Sequence, residues 1–198
     1  LFLASFGVML LIGVPIAMAL GLGAFAYLLV TDNMSLMIAF PQRMYVNINQ
    51  FALLTVPLFL LAGNLMTVGG ITERIVRFAN ACVGHVRGGL SLVNVVASMF
   101  MGGISGAATA DVSALGSVLI PAMIKDGYPR SYSAALTAVS SLVGPIIPPS
   151  IIMVIYGVLA GTSIAQLFIA GIVPGFMLGG GLAAYAWWIA KRKNYAAM

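Results

Sequence analysis

The chain has 198 residues, 62% of them hydrophobic and 7% charged, against roughly 25% charged in a soluble domain, so a surface facing water on all sides is excluded. Its formal charge of +5 comes from basic residues scattered in short groups between apolar runs, not gathered in a stripe with stacking aromatics, which excludes a nucleic-acid surface. The single cysteine, Cys82, excludes a disulfide framework and a Cys-based metal or redox motif, and is expected to be a small packing residue.

Four apolar runs, Leu1 to Val30, Phe51 to Val68, Ser131 to Ala160 and Ile164 to Ala190, approach or exceed the roughly 20 residues that cross a bilayer as a helix. The first is too long for a signal core and no basic segment precedes it. It is expected to be a true span over Phe2 to Val30, kinked at Pro15. An apolar run already under way at Leu1 suggests that the chain starts further upstream. The polar stretch Thr31 to Gln50 holds Asp32 and Arg43, which cancel. The second span runs from about Phe51 to Thr67 and ends at Val68-Gly69-Gly70.

From Ile71 to Arg87, apolar Ile71, Ile75, Phe78 and Ala79 recur at helical spacing opposite Glu73, Arg74, Arg77 and Asn80. This predicts an amphipathic helix lying in the membrane interface. His85 at its end is expected to be solvated, not a proton relay. Gly89 to Ile124 then has two apolar limbs around Gly102-Gly103-Ile104-Ser105-Gly106-Ala107-Ala108-Thr109-Ala110-Asp111. Glycine costs about 1 kcal/mol against alanine inside a helix, and a broken backbone in lipid must be enclosed by protein or line a cavity. A re-entrant helical hairpin meets both conditions.

Charge supports that hairpin. It returns its ends to one side, so Arg74, Arg77 and Arg87 join Lys125 and Arg130. Two crossings linked by Gly161-Thr162-Ser163 bring Lys191, Arg192 and Lys193 back as well. All nine Lys and Arg except Arg43 then face the cytoplasm. Trp187 and Trp188 beside the last three form an interfacial belt.

A second break is expected within Ser131 to Ala160, at Gly144-Pro145-Ile146-Ile147-Pro148-Pro149-Ser150, where three prolines remove amide donors and disfavour helix before each ring. Discontinuous helices at mid-membrane are a recurrent transporter device: half-helix N-termini attract anions and unwound carbonyls hold cations. Ser105, Thr109, Ser140, Ser141 and Ser150 place hydroxyls beside the unwound backbone, suited to sodium, and a carboxylic acid would meet the amides of Gly106 to Ala108. Asp111, the one acidic residue inside a membrane segment, is functional by default. Its expected role is to support the tip, accepting from the backbone or from Thr109, with direct contact to a coupling ion as the alternative. Asn64 and Asn94 are expected to hydrogen-bond between helices.

Pro57-Leu58-Phe59-Leu60-Leu61-Ala62-Gly63-Asn64-Leu65-Met66, Gly84-His85-x-Arg87-Gly88-Gly89-Leu90, Gly103-Ile104-Ser105-Gly106, Gly144-Pro145-Ile146-Ile147-Pro148-Pro149-Ser150 and Gly171-Ile172-x-Pro174-Gly175, in this order, resemble the large permease subunit of the tripartite ATP-independent periplasmic (TRAP) transporters over nearly the whole chain. The resemblance implies an all-α, multi-pass protein of the bacterial inner membrane: one half of an inverted-repeat elevator transporter with a re-entrant hairpin and a broken helix. It implies sodium-coupled uptake of small organic acids such as C4-dicarboxylates, with a periplasmic substrate-binding protein and a small membrane subunit as partners, besides membrane lipid and the carboxylate itself.

By motif match, Na+ would lie among Gly103, Ser105, Gly106, Gly144, Pro145 and Ser150, with Thr109, Asp111 and Ser141 contacting substrate or supporting the tip. Where the family often has Ser this chain has Ala107, which removes a hydroxyl. Residues 1–88 are expected to be scaffold helices including the interfacial helix 71–87. Residues 89–160 form the transport segment (hairpin 89–124, broken helix 131–160), and 161–198 the last span with a basic cytoplasmic tail. Only the first inverted repeat is matched, so a fragment or one piece of a split permease is expected. Rival readings are a stand-alone sodium/dicarboxylate symporter and a non-transporting membrane scaffold. An enzyme is not expected: no catalytic metal pair, Ser/Lys or paired-Asp constellation or phosphate loop is present.

Overall fold

The structure, a computed structural model, describes residues 2–31, 34–86 and 88–193; Asp32, Arg87 and the tail beyond Lys193 lie outside them. The described residues form ten α-helices and no strand. Residues 1–50 and 51–198 are two compact units.

In the first unit, the single span expected over Phe2 to Val30 is two helices, α1 (Phe2–Leu11) and α2 (Ile16–Val30). Gly23 lies beside Ser5 and Phe2, so the helices fold back on each other. The break itself is local: Gly13 takes a left-handed φ of 86°, and the Pro15 ring disfavours helical geometry at Val14. At 15 residues, α2 is shorter than about 30 Å of hydrocarbon. The polar stretch that follows is also helical, as α3 (Met34–Ile48), with Pro41 inside it.

In the second unit, a 3-10 turn (Phe51–Leu54) leads into α4 (Thr55–Val68), and left-handed Gly70 opens α5 (Ile71–Val83). On α5, Glu73, Arg74, Arg77 and Asn80 are exposed, as the amphipathic pattern predicts; of the apolar side, Phe78 is exposed and part of the rest packs on protein. Ile75, Val76 and buried Ala79 join Val93, Ala97 and Met101 of α6 (Gly89–Ser105) and Leu115 and Leu119 of α7 (Ala108–Lys125). Cys82 and His85 are exposed, so Cys82 is not the packing residue expected.

Helix α6 is uncharged, mostly apolar and buried on most of its surface, the condition for a central helix. Its other side meets α8 (Arg130–Ser141) and α10 (Ile164–Arg192), where Leu90, Val95, Met123, Tyr128, Leu136 and Ala186 cluster. That cluster joins the start of α6, the end of α7, the α7–α8 turn and the end of α10, so α6 and α7 form a hairpin whose limbs return to one end of the bundle. Lys125, Arg130 and Lys191 to Lys193 follow from residues at that end. Lys191 lies 5.2 Å over the Trp187 ring and Arg192 5.5 Å over Trp188.

The helix expected over 131–160 is broken between α8 and α9 (Ile151–Ala160). Among the described residues, three helices are long and apolar enough to cross a membrane: Phe51–Val68 (counting the 3-10 turn), Ala108–Lys125 and Ile164–Arg192. Large apolar side chains such as Leu61, Leu65, Val173, Phe176 and Met177 are exposed along them, a surface suited to lipid.

Candidate functional site

The hairpin tip follows from two residues. Gly106 takes a left-handed φ of 59° and its N–H returns to the Gly102 carbonyl at 2.9 Å, the usual glycine stop of a helix. Extended Ala107 then opens α7. Space makes a second demand at Gly106, since a Cβ there would meet the Pro149 carbonyl oxygen at 2.8 Å and the Ile151 nitrogen at 3.1 Å. The tip is therefore seated on the break.

Ser105 and Asp111 lock the tip internally. The Ser105 hydroxyl donates to Asp111 Oδ1 at 2.5 Å and accepts the Ala107 N–H at 3.2 Å. Asp111 is 0% exposed, and its other oxygen, Oδ2, is a buried atom without a hydrogen-bond partner among the described residues. Oδ2 faces Gly144.

In the break, Leu142 to Ile147 wind through tight turns, with Val143 N–H bonded to the Ser140 carbonyl and Gly144 N–H to that of Ser141. The Pro148–Pro149 peptide is cis. Ser150 restarts the helix by accepting the Met153 N–H at 3.3 Å, as an N-cap residue does. Gly103 approaches the Pro148 carbonyl oxygen, with its Cβ position 3.7 Å away. On the far side, Gly175 of α10 receives Ile147, and Gly171 receives the Ile146 carbonyl oxygen and Met153.

Gly103, Ser105, Gly106, Gly144 and Ser150 are thus brought together, and Pro145 stands half-buried in the first turns of the break. Several other expectations need correction. Thr109 does not bond Asp111, for which Ser105 is the donor; its side chain lies on the exposed face of α7, lining a shallow groove with Asn64, Thr67, Ser113 and Ser117. The Ser140 hydroxyl is engaged with Asn94 and Ser98, and the Ser141 hydroxyl donates to the Thr137 carbonyl at 2.8 Å, so neither points at the tip. Of the amides expected to meet a carboxylate, those of Gly106 and Ala107 already donate to Gly102 and Ser105. A continuing turn and a serine of the right register took them.

Sequence reasoning missed the close contacts of two glycines. Gly102 meets Gly144 backbone to backbone. Gly63 of α4 has Ser105 beside it, 3.7 Å from its Cβ position, which gives the Ala62-Gly63-Asn64 motif a packing role. Asn94, expected to bond between helices, does so as the centre of a fully buried network: its Nδ2 donates to Thr137 Oγ1 at 2.7 Å and its Oδ1 accepts from Ser140 at 3.1 Å. The polar one-sidedness of α8, with Ser133, Thr137 and Ser140 in register, was the available signal. Asn64, by contrast, is exposed.

Residues 3–198 match the family model described as tripartite ATP-independent periplasmic transporter, DctM component. The sialic acid TRAP transporter large permease protein SiaM of Vibrio cholerae is 41% identical over 187 residues, covering 94% of this chain and 44% of the relative. The 2,3-diketo-L-gulonate TRAP transporter large permease protein YiaN of Escherichia coli is 43% identical over 183 residues, 92% of this chain and 43% of the relative. The C4-dicarboxylate TRAP transporter large permease protein DctM of Pseudomonas aeruginosa is 42% identical over 156 residues, 79% of this chain and 36% of the relative. The chain therefore spans less than half the length of these relatives.

Proposed function

This chain belongs to the DctM component family of the tripartite ATP-independent periplasmic transporters, and from that premise we propose that it supplies one half of the transport core of a sodium-coupled permease for small organic acids. It is a multi-pass protein of the bacterial inner membrane, and its relatives are named permeases, not enzymes.

The observation that carries the reading is the seating of a glycine hairpin tip on an unwound helix around a buried serine–carboxylate pair. Every donor there is an oxygen, from hydroxyl, carbonyl or carboxylate, the set that suits a hard cation. Sodium, when bound, would supply the driving force of its gradient. The residues that would hold it are Ser105 with Gly103 and Gly106 at the tip, and Gly144, Pro145 and Ser150 across the break, with Asp111 fixing the Ser105 hydroxyl and so the shape of the tip.

The hairpin re-enters from the cytoplasmic side, because its two ends share the basic end of the bundle. Hairpin and broken helix move as one body, since α6 and α8 are cross-linked by the Asn94 network. The relatives' named substrates, sialic acid, 2,3-diketo-L-gulonate and C4-dicarboxylates, share small size and acidity, which sets the substrate class. A periplasmic substrate-binding protein and a small membrane subunit complete the transporter.

The test is uptake into proteoliposomes holding the permease that carries this segment, its small subunit and its binding protein, with sialic acid, 2,3-diketo-L-gulonate and a C4-dicarboxylate offered in turn. Uptake of an organic acid that requires both an inward sodium gradient and the binding protein is expected. Uptake indifferent to sodium overturns the coupling, and uptake without the binding protein makes the permease a stand-alone symporter.

A further inference from the structure

The geometry points to Asp111 as a direct partner of the cation: its Oδ2 is the oxygen that supplies the counter-charge, so that the occupied site is electrically neutral inside the membrane. This rests on the sodium reading above and goes beyond it, because there Asp111 only steadies Ser105.

The two carboxylate oxygens stand in different surroundings. Oδ1 takes the Ser105 hydroxyl hydrogen, while Oδ2 is buried, with no donor among the described residues, and faces the break. The place a Gly144 side chain would fill lies 2.6 Å from Oδ2 and 3.2 Å from the Ser141 carbonyl oxygen, with the Gly102 Cα closing it at 3.0 Å. The Ser141 carbonyl accepts one hydrogen bond, from Gly144 N–H, and keeps a second lone pair. Two acceptors thus approach the one residue of the break that lacks a side chain, and Oδ2 receives no donor among the described residues.

Among the described residues of these helices no basic side chain balances the charge. Helix α6 carries none, and the nearest on the chain of α7 is Lys125 at its far end, some 21 Å along the helix. Arg130 starts α8 at that same distant end. A buried charge is retained where a partner offsets it. The partner that fits two converging oxygens is a cation, and one carboxylate matches one positive charge, so a divalent ion would leave a net charge behind.

Sodium binding to the purified permease carrying this segment, read as the rise in thermal-unfolding temperature with NaCl at constant ionic strength in choline chloride, tests this independently of transport, because a ligand of the folded state stabilises it by an amount set by its concentration relative to Kd. The nearly isosteric Asp111→Asn keeps an oxygen for Ser105 but removes the charge. It should raise the NaCl needed for a given shift on the order of tenfold or more, with the unfolding temperature in choline alone maintained. Millimolar CaCl2 should not reproduce the shift in the wild type. An unchanged NaCl requirement in Asp111→Asn overturns the inference while leaving the sodium site standing, whereas absence of any sodium-dependent shift in the wild type removes the sodium reading itself. Should Asp111→Asn not fold, Asp111→Glu decides: its longer carboxylate should change the ratio of the lithium and sodium concentrations that give the same shift, and a wild-type ratio overturns the inference.

Discussion

Gly102 of α6 and Gly144 of the break meet backbone to backbone: a methyl group on Gly144 would lie 3.0 Å from the Gly102 Cα and 2.6 Å from the Asp111 carboxylate. One on Gly102 would run into the Gly144 Cα. Backbone cannot yield as a flexible side chain does, so this contact fixes how closely the hairpin approaches the break.

Gly102→Ala and Gly144→Ala should each destabilise the protein by about 1–3 kcal/mol, the usual cost of overpacking, and should weaken transport beyond that by lifting the tip from its seat. Gly180→Ala on α10, with open space around it, is the control, expected to be neutral or stabilising by roughly 0.5–1 kcal/mol. Thermal unfolding in detergent of the three variants checks the order.

Asn94→Ala should cost about 2–3 kcal/mol, because it leaves partners at Thr137 and Ser140 buried with bonds unmade. Asn64→Ala, on an exposed face, should stay within about 0.5 kcal/mol of the parent. Equal losses for the two would contradict the network's role.

Much of this arrangement was legible in the sequence because its signals were local and strong. The glycine run around Ser105 and three prolines within Pro145 to Pro149 stop helices whatever surrounds them, and α6 and α7 meet within two residues of the expected tip. The α1–α2 hairpin was missed because an unbroken apolar run reads as one span, and whether Gly13 and Pro15 kink or reverse a helix is decided by tertiary packing. Donor choice was illegible for the same reason: Ser105 and Thr109 are both in reach of Asp111 along the chain, and only the tip's turn decides that Ser105 points inward and Thr109 outward.

Single cysteines replacing Lys125 and Lys193 should react with a membrane-impermeant maleimide from the same side, the cytoplasm, since the start of α6 and the ends of α7 and α10 share one cluster. Labelling from opposite sides would mean that α6 and α7 do not return to one face of the membrane.

Joint replacement of Pro148 and Pro149 by alanine should impair sodium-driven uptake more than folding or membrane insertion. Alanine permits helix through the break, and a carbonyl tied into a regular helix no longer faces the tip. Normal uptake by the double variant would remove the break from the mechanism.

The central claim is that the hairpin tip and the helix break act as one cation-dependent site, and Ser105 is its hinge, bonded to Asp111 and Ala107 and packed against Gly63. The most direct measurement is initial uptake against sodium concentration in proteoliposomes for Ser105→Ala in the permease that carries this segment. Loss of one contact of about 1 kcal/mol should raise the sodium half-saturation roughly fivefold with little change in expression. An unchanged half-saturation would contradict the account and place the cation elsewhere.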